Sequence, residues 1–290
     1  MTTPTHTIDG VLHRTDPQGA EVPLVFDSPH SGVLYPGDFD YTCPLNVLRT
    51  AEDTFVDELY GAAPEHGATL IGAHFPRSYI DANRHIADID QNLFETPWPG
   101  PVNPGLKTRL GMGLVRRLAV PGLPVYGRKL SVEEVQGRIA RCYEPYHAEL
   151  ANVTDRLHGR FGAVWHINCH SMKSVSNAMA SEGAGIPRAD FVLGDRDGTT
   201  CGPEFTRFVR EFLRERGYQV KVNDPYKGVE LVRRHGRPQE NRHSLQIEVN
   251  RRLYMDETCF ERSENFPKLK RSLDTLVAAV SGFVRERLKG

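Results

Sequence analysis

Ala163-Val-Trp-His-Ile-Asn-Cys169, followed by His170-Ser-Met172, reads as a strand with two unlike sides. Side chains alternate across a strand, so His166, Asn168 and His170 share one face while Ile167 and Cys169 share the other. Cys169 then points into a packing layer as a small hydrophobe, which argues against a cysteine nucleophile. His170 falls at the strand end, where an imidazole is free to act as a metal ligand or an acid–base group.

Outward from this strand, apolar runs alternate with helical stripes. Val22–Phe26 reads as a short buried strand ending at Asp27-Ser-Pro-His-Ser-Gly32. Residues 53–65 carry a helical stripe (Phe55, Val56, Leu59, Tyr60, Ala63) that Gly67 stops, and 68–75 form a second strand. Further strands are expected at 190–193, 218–222 and 244–249. Ser131-Val-Glu-Glu134 has the spacing of a capping box and opens a helix running to Leu157, with a kink expected at Pro145. Residues 203–216 and 267–288 are amphipathic helices. Residues 95–124 form a long irregular segment rich in proline and glycine, the length of a functional lid or insertion. Alternation of this kind predicts an α/β fold with a mainly parallel or mixed sheet covered on both faces. No linker divides the chain, so residues 1–290 are read as one domain. In such sheets ligands bind beyond the C-terminal ends of strands, and His30, His170 and Asp195 each just follow one.

Composition bounds the function. The 290 residues are 39% hydrophobic and 25% charged with a formal net charge of −1, the profile of an ordinary globular protein. No basic excess points to nucleic acid. The apolar runs fall short of the roughly 18–20 residues that span a bilayer. The N-terminus is polar and lacks a secretory signal, so a cytoplasmic location is expected. The five cysteines (Cys43, Cys142, Cys169, Cys201, Cys259) form no CxxC, which disfavours a disulfide framework or a zinc knuckle. There is no GxSxG elbow and no GK[ST] phosphate cradle.

Four groups of residues could carry chemistry. His30, held between proline and glycine after a buried strand, is either a ligand or a ring that caps its loop. Glu52 and Asp53 at a helix start either stabilise the helix dipole or offer a hard oxygen to a two-histidine site. Glu248 lies on the polar side of an otherwise apolar strand with Gln246 and Asn250, as a general base or as the ion-pair partner of an arginine such as Arg251. Arg77, Asp81, Asn83 and Arg84 cluster after the second strand and could grip a carboxylate or form an ion-pair network.

Taken in order, Ser28-Pro-His-Ser-Gly32, the segment with Asp53, Phe75-Pro-Arg-Ser-Tyr-Ile-Asp-Ala-Asn-Arg84, Asn168-Cys-His-Ser-Met172, 193–201, 223–234 and 245–255 resemble the N-formylglutamate amidohydrolase (deformylase) family. The resemblance covers about residues 20–285. It implies a three-layer α/β/α fold with a mixed twisted sheet, similar to zinc carboxypeptidases, aspartoacylase and succinylglutamate desuccinylase. The pattern of those enzymes is His-x-x-Glu, a distant His, a late Glu base and an Asn-Arg pair. On that pattern His30 and His170 are metal ligands, Glu248 is the base, and Asn83 and Arg84 bind substrate. Val33 stands where the acidic ligand is expected, so the acid must come from elsewhere: Asp53, with Glu52 as rival. The implied cofactor is one Zn2+, although cobalt, manganese or iron would suit the same donors. The implied reaction is hydrolysis of N-formyl-L-glutamate to formate and L-glutamate, in histidine degradation. Two substrate carboxylates require an arginine-lined cleft, for which Arg77, Arg84, Arg128, Arg233 and Arg234 are near the motifs, with Arg77, Arg84 and Arg128 preferred. A deacylase for another N-acyl amino acid or peptide, and a non-catalytic binder of small acids, are the alternative readings. The partner is a small molecule, and no oligomeric state is specified.

Overall fold

The computed structural model of the chain describes residues 3–289. Its strands are β1 (His6–Ile8), β2 (Leu12–Thr15), β3 (Leu24–Ser28), β4 (Thr69–Ala73), β5 (Leu118–Val120), β6 (Leu123–Pro124), β7 (Val164–Met172), β8 (Phe191–Gly194), β9 (Val220–Val222) and β10 (Arg242–Asn250). Eight of them make one sheet in the order β1-β2-β4-β3-β7-β10-β8-β9, while β5 and β6 pair separately. The central run β4-β3-β7-β10 is parallel. Antiparallel pairs join β2 to β4, β1 to β2 and β8 to β10, so the sheet is mixed as expected.

The helices are α1 (Leu45–Arg49), α2 (Val56–Leu59), α3 (Leu106–Arg109), α4 (Val132–Arg138), α5 (Glu144–Phe161), α6 (Pro203–Glu215), α7 (Glu230–His235) and α8 (Phe266–Arg287). Alternation along the strands feeds two separate cores. Val25, Ile71 and Val164 pack with Leu150 and Val153 of α5 on one face. Phe26, Leu70, Ile167 and Ile247 pack with Leu273, Leu276 and Val280 of α8 on the other. These cores give the α/β/α layering. Among the described residues no helix is long and apolar enough to cross a membrane.

Three local expectations change. The stripe over 53–65 becomes a one-turn α2 and a 3-10 turn at Ala63–His66, because Phe55 has φ 67° and breaks the helix before it can start at Asp53. The kink at Pro145 is replaced by a π-helical turn at Ile139–Tyr143, which leaves proline in the first turn of α5, where a missing N–H is harmless. The β1–β2 hairpin was not foreseen, being short and largely polar. The capping box at Ser131 and Glu134 is present in both directions.

Candidate active site

The central strands are in a register that lines up polar side chains. On β7 and β10, His166 pairs with Ser244, Asn168 with Gln246 and His170 with Glu248; Asp27 of β3 pairs with Asn168. One face of the sheet therefore carries a polar row running toward the strand ends. Beyond β3 the chain turns through His30, and Gly32 is required there: a Cβ would lie 2.3 Å from the Phe75 carbonyl oxygen. The Asp53 amide donates to the His30 carbonyl at 2.9 Å, which brings the loop before α2 against the same turn.

His30, Asp53 and His170 converge, with ligand atoms within 4.8 Å of one another, and all three are buried. Asp53 Oδ2 lies 3.3 Å from His30 Nδ1 and 2.9 Å from His170 Nδ1. The far nitrogens have acceptors. His30 Nε2 is 2.7 Å from Asp81 Oδ1, and His170 Nε2 is 2.7 Å from Asn168 Oδ1. The Asn168 amide is oriented by its own donation to Asp27 Oδ1 at 2.8 Å. A proton on each Nε2 leaves two Nδ1 lone pairs and a carboxylate oxygen facing each other. Such a donor set is repulsive until a cation is held between them, and it fits a tetrahedral His/His/Asp metal site with one open position. Asp53 Oδ1 takes Arg251 Nη2 at 3.0 Å, with Arg77 Nη1 at 3.9 Å. Burial alone would raise the Asp53 carboxyl, but the adjoining His170 and His30 rings and the charge of Arg77 outweigh it and hold it well below the usual range. Asp81 is held low in the same way, against burial, by the charges of Arg77, His30 and Arg84.

Glu52 does not join this group. Its carboxylate bonds Tyr35, Arg49 and Thr54. Glu248 does face the cleft, beside His170 across the ladder. Arg251 is committed to Asp53, Ser171 and the Thr50 carbonyl, and among the described residues Glu248 forms no salt bridge. Gln246 Nε2 donates to its Oε1 at 3.0 Å. Burial pushes the Glu248 carboxyl up, and Asp53 adds to this; His170 and Arg77 pull the other way without cancelling it.

The cleft has a volume of about 180 Å³. Arg77 and Arg84 line it, but Arg77 also donates twice to Asp81 Oδ2, at 2.8 and 3.2 Å. Arg84 donates to the carbonyls of Met112 and Asn83. The Asn83 side chain is occupied at both ends: Oδ1 accepts the Leu231 amide at 2.9 Å, and Nδ2 donates to Asn168 Oδ1 at 3.4 Å. Arg128 is a correction. It lies on the surface, 42% exposed, tied to Asp40 and to the capping-box residue Glu134, and does not line the cleft. Arg233 is likewise spent on Glu230 outside it. Arg116, Arg188, Lys107 and Lys173 do line the cleft and were not anticipated. Arg116, Arg188 and Lys173 come from irregular segments and Lys107 from the single turn of α3, where periodicity gives no direction to a side chain. The five cysteines are free, with Cys169 buried as expected.

Residues 22–255 match the N-formylglutamate amidohydrolase family. The chain is 29% identical over 242 residues to an N-formylglutamate deformylase of Pseudomonas aeruginosa, covering 81% of this chain and 83% of that one. It is 29% identical over 243 residues to one of Pseudomonas putida, covering 82% and 83%. The crystal structure of an N-formylglutamate amidohydrolase from Ralstonia eutropha JMP134 superposes with a TM-score of 0.92 at 50% identity, covering 96% of this chain and 99% of that one.

Proposed function

The chain belongs to the N-formylglutamate amidohydrolase family, and from that premise we propose that it hydrolyses N-formyl-L-glutamate to formate and L-glutamate at a divalent metal held by His30, Asp53 and His170. The observation that carries this reading is the convergence of both Nδ1 atoms on Asp53 Oδ2, with Glu248 free of an ion pair next to them. His30, Asp53 and His170 would hold the metal, which we take to be zinc with cobalt, manganese or iron as alternatives, and it would supply a Lewis acid that polarises the formyl carbonyl and lowers the pKa of a water toward about 7.

The chain's own residues do the rest. Glu248 takes a proton from the attacking water and passes it to the nitrogen of the breaking C–N bond, which leaves as the amine of glutamate. Its elevated pKa suits both halves of that transfer. Asp81 holds the His30 ring and Asn168 the His170 ring, so neither reorients during turnover. Arg77 fixes Asp81, and Asn83, anchored by the Leu231 amide, donates to the Asn168 oxygen that orients His170, which makes both positioning residues. Arg84, held beside Asn83 by two backbone carbonyls, is placed to pair with one substrate carboxylate.

The test joins metal analysis of the purified protein with release of the acyl group from N-formyl, N-acetyl and N-succinyl glutamate and from N-formylmethionine. One metal per chain is expected, with N-formylglutamate favoured over N-formylmethionine by about 10²-fold, because a thioether leaves a cleft cation unpaired. A preference for N-formylmethionine, or for a bulkier acyl group, sinks the assignment.

A further inference from the structure

Buried cations in this protein are ordinarily employed. Arg138, fully buried, stacks on Tyr79 at 4.3 Å from the ring centroid and donates to the Tyr79 carbonyl and the Tyr126 hydroxyl. In the cleft, Arg251 pairs with Asp53, Arg77 with Asp81 and Arg188 with Glu182. Arg116 is different. It is 7% exposed and lines the same cleft as His30, His170 and Glu248. Among the described residues its guanidinium forms no salt bridge and donates to no acceptor, and its Nε is buried without a partner. It sits in the irregular segment between α3 and β5, where its backbone bridges to Met112, the residue whose carbonyl holds Arg84. Burial pulls its pKa down to about 9, and the neighbouring charges of Arg77 and Arg84 add to that, while Asp81 opposes it. It is still a cation at neutral pH. A chain that buries an unpartnered guanidinium beside two others bears a stability cost that an anionic ligand would offset.

We propose that Arg116 is a specificity-determining residue whose guanidinium pairs with a carboxylate of the N-acyl amino acid. The inference rests on the function proposed above and deepens it. A guanidinium presents parallel N–H donors that match a carboxylate in a fork, and Arg116 has those donors unspent. The substrate carries two carboxylates. Arg84, next to Asn83 and thus close to the His170 ligand, meets one of them, and Arg116 meets the other.

Arg116→Gln and Arg116→Lys test this on four substrates: N-formylglutamate, its γ-amide, its α-amide, and the neutral N-formylmethionine amide. For Arg116→Gln, kcat/KM on N-formylglutamate should fall by about 10²-fold, the scale of a lost charged contact. The fall should shrink to within about threefold on the one monoamide that already lacks the paired carboxylate and on the neutral amide; which monoamide behaves so identifies the carboxylate. Arg116→Lys should recover part of the loss. The melting temperature of ligand-free Arg116→Gln should equal or exceed that of the wild type, since a buried unpaired charge has gone. L-Glutamate, which should raise the wild-type melting temperature, should raise that of the variant less. Equal losses on all four substrates overturn the proposal and assign Arg116 to the formyl oxygen or to the fold; a lowered melting temperature of the free variant selects the fold. If the wild type discriminates for the dicarboxylate and Arg116→Gln keeps that discrimination, only the role of Arg116 falls. If the wild type shows no such discrimination, the proposed function falls with it.

Discussion

Within one cleft, the His30–Asp53–His170 cluster and the cationic lining handle buried charge in opposite ways. Around the cluster each group is set in place by other groups of the chain. Asp53 has two imidazoles and Arg251, His30 has Asp81, and His170 has Asn168, which is itself held by Asp27. In the lining, Arg116 has none, and burial pulls the ammonium groups of Lys107 and Lys173 down to about 8. The first arrangement is rigid before any ligand arrives, as chemistry at a fixed centre requires. The second is completed by the substrate, so its energy is available to discriminate between substrates.

The largest effects are expected at the cluster. His170→Ala or Asp53→Ala should lose the metal on dialysis and lower kcat/KM by at least about 10³-fold, whereas Glu52→Ala, whose carboxylate faces Tyr35 and Arg49, should retain the metal. Metal content per chain, measured after dialysis, is the readout. The comparison breaks if Asp53→Ala keeps its metal and Glu52→Ala does not.

Next comes Glu248, which touches both arrangements. Glu248→Gln removes the proton acceptor but keeps the shape and the contact to Gln246, so kcat should fall by about 10² to 10⁴-fold with metal content and melting temperature unchanged. Turnover close to normal would reduce Glu248 to a bystander and leave the cleft without a base.

This contrast also separates what the sequence makes legible from what it does not. β3, β4, β7 and β10 are visible as apolar runs, and alternation alone assigns His166, Asn168 and His170 to one face, because strand period is a local property. The motif order points to His30, Asp53, His170 and Glu248, and the fold brings these four together. What alternation cannot show is the direction of a side chain on an irregular segment. Arg116, Lys173 and Arg188 come from such segments and Lys107 from the one-turn α3, and all four were missed, while Arg128, near a motif in sequence, is drawn away by the capping-box Glu134. The stripe over 53–65 was real as a burial pattern, since Val56, Leu59, Tyr60 and Ala63 are all buried, but the left-handed Phe55 shortened the helix.

A subtler effect is expected one step behind the cluster. Asp27 accepts hydrogen bonds from Tyr146, His166 and Asn168 and is buried. Burial would raise its carboxyl, but the His166 charge and the hydrogen bonds from His166, Asn168 and Tyr146 hold it low. Asp27→Asn makes the orientation of the Asn168 amide ambiguous, so the His170 tautomer is no longer imposed. Metal affinity, titrated against a competing chelator, should weaken by about 10 to 100-fold while the circular dichroism spectrum is kept. Unchanged affinity would show that the cluster is rigid without this support.

The smallest effect is expected in the lining, and only as a function of pH. Lys107 is lowered chiefly by burial and then by Arg84, with Arg188 and Arg77 adding and Glu182 opposing. Lys173 is lowered by burial and then by Arg251, with Arg116 and Arg188 adding and Glu257 opposing. Both are therefore charged below about pH 8 in the free enzyme and lose the proton as pH rises through that value. A bound carboxylate favours the ammonium form and raises each pKa in the complex, so binding the dianionic substrate takes up protons and weakens as pH rises. KM for N-formylglutamate should climb by up to about tenfold per pH unit for each lysine that pairs with substrate, and kcat should stay flat over that interval. The substrate carboxylates are ionised throughout, so the change belongs to the enzyme. A neutral N-formyl amide should show no such climb, and Lys107→Arg, which keeps its charge, should flatten part of it. A KM for N-formylglutamate that is constant from pH 7 to about 9.5, or one that rises equally for the neutral amide, would mean that these lysines do not meet substrate and that the unpaired charge of the lining rests on the arginines alone.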